Sequence, residues 1–283
     1  MGKYKVAVIG SGLMGTGIAH TFAVRDFQVD LYGHSINFRD KVLQYFHHEE
    51  KQKRLTKEEK HRILKNLKFY YMGQDYERLQ ECDLVIETVK EDKALKKEVL
   101  REIGPYMDER TIIGSNTSTF SITELASELQ RPENMLGIHF VSPVPMMGMV
   151  EIVKGYRTDR DVVERVKEIV LSIDKNPYVV KDNPGFVFNR MLVPFLNESI
   201  LLLDSGLVEG PEELDRMVMD GFNLKVGPLK LADLVGIDVI YHSMMSLYEN
   251  FHDPKYRPSP ALKRMVDAGY LGRKTGMGFY CYK

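Results

Sequence analysis

An α/β doubly wound parallel sheet followed by an all-α region is the fold class the sequence predicts, and three observations predict it. Short β-branched runs alternate with longer amphipathic stretches from the start to about residue 180, the pattern of βαβ units around a parallel sheet. The first run leads into a glycine-rich turn. Past Asn183-Pro184-Gly185 the strand-like runs stop and helical periods take over. A domain boundary is therefore expected between residues 1–183 and 184–283.

The predicted strands are Val6 to Ile9, Val29 to Tyr32, Leu84 to Glu87, Thr111 to Ile113, Leu136 to Phe140, Val150 to Val153 and Tyr178 to Val180. Asn37 to Leu67 reads as two charged helices, the second behind Thr56 with Glu59 three residues on, a capping box. In the C-terminal region the helical periods cover Phe186 to Leu203, Pro211 to Gly221 and Leu229 to Leu247. Pro254, Pro258 and Pro260 mark a loop before a last helix, Ala261 to Ala268, stopped by Gly269.

A chain of 283 residues with 43% apolar side chains can bury a sizeable core without disulfides or a metal. Its 39 basic against 40 acidic residues leave a formal charge of −1. Nothing in the bulk charge favours nucleic acid or an anionic membrane, so an anionic ligand needs a local site. The longest aliphatic run, about Ile200 to Leu203, is far short of a membrane span. A strand pattern entered by Lys3 leaves no room for a secretory signal. The two cysteines, Cys82 and Cys281, fit no zinc or disulfide spacing. No metal site and a cytoplasmic location are expected.

Gly10-Ser11-Gly12-Leu13-Met14-Gly15 follows the first strand and opens a helix whose Ile18, Ala19 and Phe22 share a face. This is G-x-G-x-x-G in the context a Rossmann-type dinucleotide site requires. The first glycine permits the turn, the second lets a pyrophosphate approach the backbone, and the third lets helix pack on strand. Gly10, Gly12, Leu13, Met14 and Gly15 are thus expected cofactor contacts. Such a site also carries an acid at the end of the second strand to bind ribose hydroxyls. Here that strand ends at Gly33, and Asp30 falls inside it. Gly33-His34-Ser35 with Arg39 could admit a 2′-phosphate, or NAD could be held by the rest of the pocket.

Removing hydride from a secondary alcohol requires a base for the hydroxyl proton, and histidine suits that task near neutral pH. Among eight histidines, His139 ends a predicted strand, where doubly wound folds place ligands. Pro143 and Pro145 forbid a continuous helix to Glu151. The intervening loop can return the chain and bring the carboxylate to the imidazole, fixing its tautomer.

The glycine motif, Ser115-Asn116-Thr117-Ser118 and His139-Phe140-Val141-Ser142-Pro143-Val144-Pro145 through Glu151 together resemble the L-3-hydroxyacyl-CoA dehydrogenase family, including 3-hydroxybutyryl-CoA dehydrogenases. The likeness continues through Asn183 to Arg190, Gly227-Pro228-Leu229 to Asp233, and Ala268 to Tyr280. The resemblance implies a nicotinamide-dependent oxidoreductase acting at C3 of a short-chain 3-hydroxyacyl-CoA. His139 would be its acid/base, Glu151 the orienting partner, and Ser118 and Asn189 the oxygen-binding pair. It further places Glu91, Lys96, Asn116, Ser118, Ser142 and Lys274 near the cofactor. The stretches Phe186 to Leu203 and Leu229 to Leu247 are too apolar on several faces to be solvated on one side, so the helical substrate domain from Pro184 onward is expected to carry a homodimer surface. Val141-Ser142 stands where the family has Phe-Asn, and Gly148 where it has a long side chain. Met135, Met146, Met147 and Met149 could line an adaptable acyl pocket or be ordinary core. Lys51, Lys53 and Arg54 could meet a coenzyme A phosphate or be a solvated face. A carrier-protein-bound hydroxyacyl group or a free hydroxy acid stays open as substrate, and so does a non-catalytic, crystallin-like role.

Overall fold

The computed structural model describes residues 4–282; Lys3, where the strand pattern was expected to begin, lies outside them. The described residues divide between Asn183 and Pro184 into two compact units. In the first, strands β1 (Lys5–Ile9), β2 (Gln28–Gly33), β3 (Leu67–Tyr71), β4 (Leu84–Glu87), β5 (Ile112–Ser115), β6 (Met135–Phe140), β7 (Met149–Lys154) and β8 (Asn176–Lys181) form one sheet. Their spatial order is β3-β2-β1-β4-β5-β6-β7-β8. The strands from β3 to β6 run parallel, β7 is antiparallel to β6, and β8 is parallel to β7.

The central strands read as continuous apolar runs because both faces are covered: Val6, Val8, Val29, Leu31, Leu84 and Ile86 are all buried. The crossovers are α1 (Leu13–Ala23), α2 (Phe38–Lys51), α3 (Lys57–Asn66), α4 (Lys93–Ile103), α5 (Ile122–Ala126) and α6 (Arg160–Ser172). The capping box at Thr56 and Glu59 is formed, the Thr56 hydroxyl accepting from the Glu59 amide while the Glu59 carboxylate accepts from the Thr56 amide.

Strand β3 corrects the sequence reading, which ran helix through to Leu67. No glycine or proline separates α3 from β3. Instead Asn66, the last helical residue, is buried and donates to the Ala23 carbonyl, so tertiary bonding stops the helix. The strand is an edge with half-exposed residues, and its apolar signal is correspondingly weak.

The second unit consists of α7 (Phe188–Asp204), α8 (Pro211–Phe222), α9 (Pro228–Val235), α10 (Ile237–Phe251) and α11 (Pro260–Asp267) around its own apolar core. The expected single helix from Leu229 to Leu247 is in fact α9 and α10. Gly236, with φ +106°, lies between them, a conformation a right-handed helix cannot contain. Asp233, buried on α9, accepts from the Phe279 and Tyr280 amides and from the Tyr282 hydroxyl. This closes the C-terminal glycine-rich segment over the helices.

On α1, His20 is buried with its ring edge-on to Tyr45 and Phe46. Burial pushes it from 6.5 down to about 4, against the pull of Glu49 and Glu59 and with a smaller push from Lys175. Above pH 6.5 the imidazole is neutral whether folded or not; below it the unfolded chain takes up a proton that the folded one refuses. Between pH 7 and pH 4, wild type should lose about 3 kcal/mol more unfolding free energy than His20→Phe, as read by urea denaturation. Equal losses in the two proteins would contradict this.

Candidate active site

Two strands of opposite direction position the central pair. In the β6–β7 ladder His139 lies directly opposite Glu151, so their side chains rise from the same face. The loop containing Pro143 and Pro145 makes that reversal. His139 Nδ1 is 2.8 Å from Glu151 Oε2, and both residues are buried, at 4% and 1% exposure. A carboxylate can only accept, so Nδ1 carries a hydrogen towards Glu151, and whenever the ring is neutral its lone pair is at Nε2.

Nε2 is 3.1 Å from the Ser118 hydroxyl. That serine follows β5 in a loop gathered around one carboxylate. Glu91 Oε1 accepts from the Thr117 hydroxyl at 2.6 Å, the Ser118 amide at 2.8 Å, and the Thr119 amide and hydroxyl at 3.2 and 3.0 Å. Burial works against ionisation of Glu91. The Lys96 ammonium and the hydrogen bonds from Thr117 and Ser118 outweigh it and hold the carboxyl below the usual range.

Lys96 does not fit its expected role as a cofactor contact. It is fully enclosed, and its ammonium donates to both Glu87 oxygens at 2.9 and 3.1 Å and to the Val89 carbonyl at 3.3 Å, with Glu91 at 3.2 Å. No hydrogen remains to reach a ligand. Glu87, at the end of β4, is equally enclosed and accepts from the Ser115 hydroxyl at 2.6 Å. Sequence reasoning missed Glu87 and Thr117. A lone acid ending the apolar run Leu84-Val85-Ile86 was the available signal, since a buried charge demands a partner.

The glycine motif can be tested against a dinucleotide. Gly10 has φ +113°, and a Cβ at Gly15 would lie 1.9 Å from the Gly10 carbonyl oxygen, so neither position admits another residue. A Cβ at Gly12 would meet nothing within 4 Å, leaving the backbone approachable from outside. The α1 N-terminus that follows has no side-chain cap and no acid in its first turn, as a pyrophosphate seat requires. Leu13 there is exposed and Met14 half-buried. These residues fit a dinucleotide.

At the ribose end, a side chain on Gly33 would collide with the Phe38 ring at 2.3 Å and the Ser11 hydroxyl at 2.6 Å, so no acid fits there without moving Phe38. Asp30 is buried within β2 and pairs with Lys5 at 3.1 Å. Asn116 ties the ends of β5 and β6 by accepting from the Phe140 amide at 2.9 Å. Ser142 is exposed on the loop just past His139.

Other candidates have protein partners. Lys274 pairs with Asp238 at 2.5 and 2.6 Å within the second unit, where Asn189 lies half-buried in the first turn of α7. Arg54 is held by both oxygens of Glu49, which weakens the basic cluster as a phosphate site. Met135 is buried at the start of β6, at the far end of that strand from His139, and so is core; Met146 and Met147 are exposed.

Residues 5–183 match the model of the 3-hydroxyacyl-CoA dehydrogenase NAD binding domain, and residues 185–282 that of the C-terminal domain of the same enzymes. The chain belongs to the 3-hydroxyacyl-CoA dehydrogenase family. It is 42% identical to the 3-hydroxybutyryl-CoA dehydrogenase of Clostridioides difficile, over 98% of this chain and 99% of that one. Among solved structures, M. tuberculosis FadB2 matches with a TM-score of 0.94 at 34% identity. The (S)-3-hydroxybutyryl-CoA dehydrogenase PaaH1 of Ralstonia eutropha matches with 0.90 at 38%. Each covers 100% of both chains. Membership in this family makes the first unit an NAD-binding domain.

The enclosed pair of Lys96 and Glu87 yields a direct test. Lys96→Met leaves the Glu87 carboxylate buried without its counter-charge, which should cost about 3–5 kcal/mol in urea unfolding at pH 7. A loss below about 1 kcal/mol, the scale of an exposed pair, would show that Glu87 finds water.

Proposed function

We propose that this protein interconverts L-3-hydroxybutyryl-CoA and acetoacetyl-CoA with a nicotinamide cofactor. The observation that carries the reading is the file of Glu151 on β7, His139 near the end of β6 and Ser118 in the loop after β5, in hydrogen-bond contact. Bound NAD would supply the acceptor for the C3 hydride. As the hydride leaves, the hydroxyl proton passes to His139 Nε2, and the imidazolium so formed is stabilised by Glu151 at Nδ1. In the reverse direction the same Nε2–H protonates the C3 oxygen. Ser118 is the hydrogen-bonding hydroxyl beside that oxygen, and Asn189 is assigned as the second donor by its family position. Gly10, Gly12, Leu13, Met14 and Gly15 would hold the dinucleotide, with Asn116, Ser142 and Lys274 as further contacts.

Support for use of NADP comes from Gly33. It removes the carboxylate that would repel a 2′-phosphate. Arg39, one residue past Phe38, stacks on Phe69 with its guanidinium 5.5 Å from the ring centre. It has no carboxylate partner among the described residues. NADPH is therefore expected to serve alongside NADH. A homodimer through the second unit belongs to the same reading, supported by the exposed apolar side chains of Leu207, Met217 and Phe222. Among the described residues no helix is long and apolar enough to cross a membrane, and both cysteines are free thiols. A reducing cytoplasm suits them.

Initial rates with acetoacetyl-CoA and each reduced nicotinamide test the reading. Wild type should turn over with both cofactors, and His139→Ala should lose about a thousandfold or more in kcat while NADH affinity stays nearly unchanged. Absence of wild-type turnover on acetoacetyl-CoA would move the substrate to a carrier-protein-bound group or a free hydroxy acid. Full turnover by His139→Ala would remove the imidazole from the mechanism.

A further inference from the structure

The loop between His139 and Glu151 is fastened by a residue far along the chain. Lys175 sits in the turn between α6 and β8 and is 6% exposed. Its ammonium donates to the Val144 carbonyl at 2.9 Å, the Pro145 carbonyl at 3.1 Å and the Met147 carbonyl at 2.7 Å. Each of its three N–H bonds thus has one acceptor, and all three acceptors belong to this loop. A salt bridge would have brought a carboxylate; instead a buried cation is satisfied wholly by backbone.

The loop has few other ties. The β6–β7 ladder ends at Phe140 opposite Val150. Beyond it, the Asn176 amide donates to the Gly148 carbonyl at 2.7 Å. Val144 is buried against Gly17 of α1, where an added Cβ would lie 3.1 Å away. The turn that carries Lys175 is itself tied to the end of α1, since Asp174 pairs with Arg25 at 2.7 Å. Both anchors therefore lead to α1, the helix whose N-terminus is the dinucleotide seat. With its carbonyls drawn inward, the loop leaves Ser142, Met146 and Met147 on its outer, exposed side.

We infer that Lys175 is a positioning residue for the reaction: by gathering three loop carbonyls against the α1 side of the unit, it sets where Ser142 and the outer loop surface stand relative to the bound cofactor and substrate. The inference rests on the proposed activity. The His139–Glu151 contact is set by the strand register and does not need the clamp. Loss of the clamp should therefore displace the substrate-facing loop while leaving the catalytic base and its orienting acid as they are.

The test uses the full chain with Lys175→Met, which keeps length and apolar stem but removes the donors, and Lys175→Arg, which keeps a cation. Steady-state rates with acetoacetyl-CoA and NADH should show kcat/KM lowered about ten- to a hundredfold in Lys175→Met. The pH midpoint of the catalytic base should be unmoved, because the His139–Glu151 contact is set by strand register, and Lys175→Arg should recover part of the loss. Backbone hydrogen exchange of Met146 and Met147 should quicken in Lys175→Met. A merely structural lysine would lower the melting temperature and the active fraction but leave KM and the turnover per active site at wild-type values, and that outcome overturns the inference. Unchanged exchange in the loop overturns it as well. If Lys175→Met does not fold, Lys175→Gln, with two donors and a shorter reach, is measured against the same outcomes. Wild type is the control: without turnover there, the activity reading fails, while loop exchange still reports on the clamp.

Discussion

The site depends on one change of direction in the sheet. The strands from β3 to β6 run parallel; β7 turns back, and the register of that single antiparallel pair puts Glu151 opposite His139. A parallel neighbour would have needed a crossover of a dozen or more residues. The short return brings an acid and an imidazole together at the edge where a doubly wound sheet binds ligands. Burial then gives the contact its consequence, because at 1% exposure the Glu151 carboxylate has little water to turn to.

A second set of buried charges stands behind the serine. Glu87 and Lys96 neutralise each other at the end of β4, and Lys96 also faces Glu91, whose other oxygen collects the loop from Thr117 to Thr119. The hydroxyl that meets the imidazole is thus placed by backbone amides held on a carboxylate, which is itself held by an enclosed ammonium. Removing Lys96 leaves the enclosed Glu87 without its counter-charge and Glu91 without its ammonium, and the cost falls on the geometry of Ser118.

Much of this was legible in the amino-acid order. The alternation of strands and helices, the glycine turn and the capping box at Thr56 follow from local rules with a physical basis, whereas singling out His139 and Glu151 among the other histidines and acids also took the resemblance to a known family. What escaped was decided by distant contacts. Strand β3 begins without a turn residue because Asn66 stops α3 through a bond to Ala23, 43 positions away. A glycine inside an apolar helical period looks tolerable, and only its left-handed φ at Gly236 shows that α9 and α10 are separate. Lys96 has the appearance of a solvated helix charge until Glu87 is placed beside it. Lys175 gives no local signal whatever, since its partners are carbonyl groups, which every residue possesses.

The central claim is that Glu151 orients the catalytic imidazole, and Glu151→Gln tests it most directly. The amide keeps size and burial but can offer N–H to Nδ1, favouring the tautomer that blocks Nε2. With folding verified by circular dichroism, kcat on acetoacetyl-CoA should fall about 10³- to 10⁴-fold, as it does when the acid of a comparable catalytic pair is amidated. A Glu151→Gln enzyme turning over at the wild-type rate would contradict the account.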